Sequence, residues 1–193
     1  IQGDYAFAQT LLEESLAIER KFGQKRGVAL ALLRLGQIAA AQGDYASARS
    51  LWQDSLKLRR ELGEKSGIAF ALNNLSSVAR LEGDLATARA LAEEGLKIAR
   101  EMGSKLLEAE SQANLGQIAL ARGDYATART LFEECLAIRQ QRDAKLEIPS
   151  AMQSLGDISF LQGDDAQARA HYENGLAFAK EMELKPVMAY SLR

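Results

Sequence analysis

The dipeptide Gly-Asp, followed two residues later by Ala, occurs five times at a spacing of forty residues. It reads GDYA at residues 3–6, 43–46 and 123–126, GDLA at 83–86 and GDDA at 163–166. A fixed period of this length means that each period is one small supersecondary unit. Such a unit cannot bury its apolar face alone, so neighbouring units must stack. Other columns keep the same register: Ala8, Ala48, Ala88, Ala128 and Ala168; Leu16, Leu56, Leu96, Leu136 and Leu176; Lys25, Lys65, Lys105, Lys145 and Lys185.

Each period contains two helical stretches. Residues 27–42, GVALALLRLGQIAAAQ, are rich in good helix formers with apolar residues at helical spacing. Residues 45–62 carry a stripe of Ala48, Leu51, Trp52, Ser55, Leu56 and Leu58, with Arg49, Gln53, Arg60 and Glu61 outside it. No stretch alternates with the period of a strand. Gly-Asp then reads as a corner: Gly tolerates the left-handed conformation that ends one helix, and Asp caps the next. The second corner uses Gly23, Gly63 and Gly103, replaced later by Asp143 and Glu183. The Lys two residues beyond it is expected beside a helix C-terminus, where a cation is favoured. Pro149 stands where other periods have Ala29, Ala69 and Ala109, so the helix there is expected to start late or bend.

The formal charge is −2, from 24 basic and 26 acidic residues, which gives no reason to expect direct nucleic-acid or membrane binding. One cysteine cannot form an internal disulfide, so a reducing, cytoplasmic setting is expected. No run of about 18 apolar residues is present, and the N-terminus lacks a signal-peptide pattern. The chain begins inside one period and stops inside another, and is expected to be part of a larger protein.

With the columns in place, the chain resembles the tetratricopeptide repeat family. Its Leu-Gly signature is matched by LRLGQIA, by QANLGQIA at 112–119 and by MQSLGDIS at 152–159; LNNLSSVA at 72–79 has Ser76 in place of Gly. Ala48, Ala88, Ala128 and Ala168 match the family's small residue. Leu12, Trp52, Phe132 and Tyr172 fall in its aromatic column, with Ala92 a departure. A forty-residue period in place of the usual 34, and a missing closing Pro, resemble the longer repeats of kinesin light chain and of bacterial STAND and LuxR-type regulators. The resemblance implies an all-α, right-handed superhelical solenoid of antiparallel helix pairs. It divides the chain into a second helix at 3–23, four repeats at 24–63, 64–103, 104–143 and 144–183, and the start of another at 184–193. It also implies a non-catalytic scaffold that holds a protein or peptide in a concave groove. The alternative is an effector-sensing arm of a bacterial signal-transduction ATPase or transcriptional regulator.

Helix spacing sets the candidate inner wall at Arg34, Gln37, Asn73, Asn74, Ser77, Arg80, Asn114, Gln117, Gln153 and Asp157, with Leu33 beside them and Phe70 and Phe160 as apolar anchors. Asn and Gln both donate and accept, which suits a peptide backbone. Arg34 and Arg80 would favour acidic ligands. Catalysis finds no constellation. Cys135 shares a column with Ser15, Ser55, Gly95 and Gly175, which reads as a buried thiol, and the single His171 stands apart from it. The pairs Glu93-Glu94 and Glu133-Glu134 read as surface charge, with Arg89–Glu93, Arg129–Glu133 and Arg169–Glu173 as i,i+4 pairs. No metal motif and no phosphate loop is present, so no cofactor is expected. The terminal helices lack polar caps, so end-to-end self-association is expected.

Overall fold

The computed structural model describes residues 2–181, with side chains from residue 5. Among these the chain is helical throughout, without a strand. The helices are α1 (Gln2–Lys21), α2 (Lys25–Ala41), α3 (Tyr45–Leu62), α4 (Lys65–Leu81), α5 (Leu85–Glu101), α6 (Lys105–Ala121), α7 (Tyr125–Gln141), α8 (Ile148–Leu161) and α9 (Asp165–Glu181). This is an all-α repeat fold in which α2, α4, α6 and α8 are first helices and α3, α5, α7 and α9 second ones.

The corners form as the residue types require. Gly43, Gly83, Gly123 and Gly163 have φ between 74° and 84°, a region that side-chain-bearing residues avoid. The Asp that follows accepts a hydrogen bond from a backbone N–H three residues on: Ser47 N to Asp44 at 3.0 Å, Thr87 N to Asp84 at 3.0 Å, Thr127 N to Asp124 at 3.1 Å and Gln167 N to Asp164 at 3.0 Å. Each bond satisfies one of the four donors that a helix start leaves open. At the fourth copy of the second corner Asp143 takes the left-handed position itself, at φ 53°. Lys25, Lys65 and Lys105 are the first residues of α2, α4 and α6, the end where the dipole disfavours a cation. The expectation of a C-terminal placement is therefore corrected. Ion pairs compensate: Lys25 reaches Glu61 at 2.8 Å, and Lys105 reaches Glu108 at 2.7 Å. As expected of Pro149, α8 begins at Ile148, three residues after Lys145, and Pro149 sits in its first turn where no N–H is needed.

The chain divides into two compact units, Ile1–Ile98 and Ala99–Arg193. In the first, Leu33, Trp52, Leu56, Leu72, Leu75 and Val78 share a core. In the second, Phe132, Leu155 and Ile158 form one with Ala119 and Ala128. Each large apolar side chain buried this way contributes about 1.5–3 kcal/mol. The Leu-Gly signature has a direct steric cause. A Cβ on Gly36 would lie 2.4 Å from Trp52 Nε1, one on Gly116 2.9 Å from Phe132, and one on Gly156 2.5 Å from Tyr172. Trp52 Nε1 also donates to the Leu33 carbonyl at 3.0 Å. In the remaining repeat both members change. Ser76 stands for the Gly and Ala92 for the aromatic, both wholly buried, and Ser76 Oγ donates to the Ala88 carbonyl at 2.7 Å. The two departures from the family pattern are thus one exchange of volume.

Candidate functional site

The candidate wall residues lie on first helices, and each unit carries its own row. In the first unit α2 supplies Arg34 and Gln37, and α4 supplies Asn73, Asn74, Ser77 and Arg80. Arg34 is exposed and donates to Gln37 Oε1 at 3.1 Å. Both line a cleft of about 470 Å³ with Tyr5 and Leu12 of α1 and Ile38 and Ala41 of α2. The α4 row is more enclosed. Asn73 is only 6% exposed. Asn74 Nδ2 donates to the Phe70 carbonyl at 3.1 Å, and Ser77 Oγ to the Asn73 carbonyl at 3.2 Å. Both bonds run to the carbonyl four residues back along the helix, which steadies the side chains and leaves the Asn74 oxygen able to accept. Leu33, expected on the wall, is buried in the core. Phe70 is half-buried against the same core, and Phe160 of α8 is 62% exposed.

Arg80 is the electrostatic outlier of the row. It is half-buried, and its Nε is shut off from solvent without an acceptor. Burial lowers its pKa below the usual arginine value, and no carboxylate offsets that loss of hydration. Arg59 makes the contrast. It is also pulled down by burial, but Glu64 faces it at 3.3 Å and works in the opposite direction.

In the second unit α6 supplies Asn114 and Gln117, and α8 supplies Gln153 and Asp157. Two of these are held by neighbours. Gln117 Nε2 donates to Ser154 Oγ at 3.2 Å, joining α6 to α8. Tyr172 of α9 donates to Asp157 Oδ1 at 2.7 Å. Burial, then the bond to Asp157, pushes the Tyr172 hydroxyl up to about 12. Gln153 is half-buried. Sequence spacing did not single out Ser154 or Tyr172 as partners of the row. The available signal was the column register, which sets Ser154 level with Asn74 and Asn114.

A second cleft, of about 650 Å³, lies in the first unit, lined chiefly by α3 and by Ala79, Leu75 and Leu91 at its apolar floor. Three of its rim charges are engaged within the unit: Arg49 with Glu82, Arg60 with Glu94 at 2.7 Å and Glu61 with Lys25. The expected pair Arg89–Glu93 is present at 2.7 Å. Arg129 departs from its expected pairing. Its guanidinium donates to Gln167 at 2.9 Å and to Gln162 at 2.8 Å, because α8 and α9 offer two amide oxygens within its reach.

Cys135 is fully buried beside Ala109 and Ile138, and burial raises its pKa, which keeps the thiol protonated. His171 is half-buried, and burial followed by Arg129 lowers its pKa, against the opposing pull of Glu133. Among the described residues no cluster of His, Cys, Asp or Glu could hold a metal ion, and no helix is long and apolar enough to cross a membrane.

Comparison with known proteins follows the same lines. The profile described as tetratricopeptide repeat matches residues 1–61, 27–101 and 106–181. No curated protein matches the chain. Among solved structures, BtubC (BKLC) from P. vanneervenii is similar at a TM-score of 0.78 and 20% identity, over 94% of this chain and 76% of that one. A Rap protein complexed with Competence and Sporulation Factor is similar at 0.82 and 16% identity, over 98% of this chain and 55% of that one. A signal transduction ATPase with a tetratricopeptide repeat sensor, from Pyrococcus horikoshii, is similar at 0.72 and 19% identity, over 97% of this chain and 30% of that one. At these identities the likeness is one of fold.

Proposed function

The chain belongs to the tetratricopeptide repeat family, and from that premise we propose that it is a non-catalytic scaffold holding an extended, acidic peptide or partner segment along its first helices. The family implies a protein-interaction role. The choice of ligand class rests on one observation, the half-buried Arg80 guanidinium whose Nε lacks an acceptor and which no carboxylate opposes. A ligand carboxylate against the part of this half-buried side chain that stays accessible would supply the missing counter-charge, and a charge-assisted hydrogen bond of this kind contributes about 1.5–3 kcal/mol. Asn74 precedes it on the same helix beside Asn73 and Ser77, half-buried, with an amide oxygen that can accept from a peptide backbone without selecting its side chains. In the second unit Asn114, Gln117 and Gln153 are amides of the same kind, whereas Asp157 is an acceptor only and already takes the Tyr172 hydroxyl. The Rap protein complexed with Competence and Sporulation Factor supports a ligand-holding role for such an array.

An effector-sensing arm is less well supported. It calls for an enclosed apolar pocket on the first-helix side, whereas the 650 Å³ cleft is lined chiefly by the second helix α3. The setting that goes with this reading is the cytoplasm.

The test is a titration of labelled acidic and neutral peptides, read by fluorescence anisotropy. Acidic peptides are expected to bind, and Arg80→Gln to weaken them by about tenfold or more, as the loss of a charge-assisted bond requires. Equal binding of acidic and neutral peptides, or an Arg80→Gln protein that binds as the parent does, would remove the assignment.

A further inference from the structure

The 650 Å³ cleft of the first unit lies in the middle of the repeat array, with α3 and α5 supplying its sides and α4 part of its floor. Leu56, Leu75, Ala79 and Leu91 are its apolar residues. On α3 the lining runs from Arg49 to Glu61, so the cleft follows that helix for about 18 Å at a rise of 1.5 Å per residue. It is separate from the peptide row. Leu75 and Ala79 line it from α4, while Asn74 and Ser77 stand on another face of that helix, because successive residues point about 100° apart.

The second unit shows that the repeat does not by itself demand this cleft. Arg129 stands in the column of Arg49, and its guanidinium donates to Gln167 at 2.9 Å, to Gln162 at 2.8 Å and to Ser159 at 3.3 Å. These bonds tie α7 to the end of α8 and to α9. The first unit has Thr87, Glu82 and Ala79 in those three columns, and Leu91 in the column of His171. Ala79 has no hydroxyl, Thr87 has no amide, and Glu82 takes Arg49 as an ion pair. A polar bridge is thereby exchanged for an apolar floor.

The charges around that floor leave one sign unanswered. Each lining carboxylate is engaged: Glu82 by Arg49, Glu61 by Lys25 at 2.8 Å, and Asp84 by the Thr87 N–H at 3.0 Å. Arg60 is held by Glu94 at 2.7 Å. Lys57 is exposed, adjoins Leu56, and makes no ion pair among the described residues. Its charge reaches Glu61 one turn on, but the bond to that carboxylate comes from Lys25. We propose that this cleft binds a small amphiphilic carboxylate, with its hydrocarbon on Leu56, Leu75, Ala79 and Leu91 and its charge against Lys57. The volume lies within the range of about 300–1,000 Å³ common to small-molecule sites. The site goes beyond the peptide-holding role and uses none of its residues.

Isothermal titration calorimetry of the 193-residue chain with hexanoate, octanoate and decanoate, below their micelle concentrations, tests this. One carboxylate per chain is expected, tightening by about fourfold for each methylene buried. Octanol and octylamine should bind more weakly than octanoate. Lys57→Gln changes an exposed position and should weaken octanoate about two- to fivefold without affecting octanol. Ala79→Ser with Glu82→Gln and Thr87→Gln rebuilds the polar bridge of the second unit in the first and should abolish binding. Arg80→Gln should leave octanoate binding unchanged, whatever it does to acidic peptides. A parent that binds no carboxylate, octylamine binding as well as octanoate, or a bridge-rebuilding variant that binds as the parent does would each overturn the proposal. Loss of octanoate binding in Arg80→Gln would also overturn it, by placing the ligand on the peptide row.

Discussion

A carboxylate at a helix start is stabilised in its charged form by the N–H groups that point at it. Asp44, Asp84 and Asp124 show the consequence, since hydrogen bonds from Ser47, Thr87 and Thr127 hold their pKa values below the usual aspartate range. The folded state therefore binds these protons less readily than the unfolded chain. Stability from the caps is fully present above the ordinary aspartate pKa, and is lost as pH falls through the lower, folded value. Thermal melts between about pH 6 and about pH 2 should show this acid limb. Replacing all three by Asn, which still caps but does not titrate, should flatten it; an unchanged limb would trace the acid sensitivity to other carboxylates. His171 moves in the opposite sense in charge but the same sense in pH: its lowered pKa makes protonation unfavourable in the fold, so acid again opposes it.

Between elements, the chain trades volume in pairs. Gly36 faces Trp52, Gly116 faces Phe132 and Gly156 faces Tyr172, while Ser76 goes with Ala92. A second exchange runs between a second helix and the next first helix at two of the corners. A Cβ on Gly67 would collide with the Arg59 guanidinium, whereas the corresponding positions Leu107 and Ala99 reverse the sizes, with both side chains buried. Overfilling one side of such a pair costs about 1–3 kcal/mol. Ala92→Phe should therefore destabilise the protein by that amount, and adding Ser76→Gly should recover most of it. Urea denaturation of the two single variants and the double variant closes the cycle. Additive effects would show that the two columns are independent. The helix boundaries follow the same local logic, as α8 shows: Pro149 lacks a donor, so the helix begins where that donor is not required.

For the molecule as a whole, stability in a repeat array is a sum of local terms, and regions can open separately. The chain forms two compact units, and its single tryptophan, Trp52, lies in the first. Denaturant unfolding followed by Trp52 fluorescence reports that unit, while far-UV circular dichroism reports both. The two transitions are expected not to coincide. Superimposed curves across the whole range would show instead that the 193 residues unfold as one cooperative body.

The repeat period, the helix pairs, the left-handed glycines and the capping aspartates were legible in the sequence, because each depends on residues a few positions apart along one chain. The buried thiol of Cys135 was legible too, since its column holds only small residues. The same register picked out the candidate positions but not their state. That Asn73 is nearly enclosed, that Tyr172 holds Asp157, that Arg129 turns to Gln162 and Gln167, and that Arg80 has burial without a counter-charge were decided by tertiary structure. Hydrogen bonds and desolvation depend on atoms brought together from different helices, and periodicity along one helix carries no record of what packs across from it.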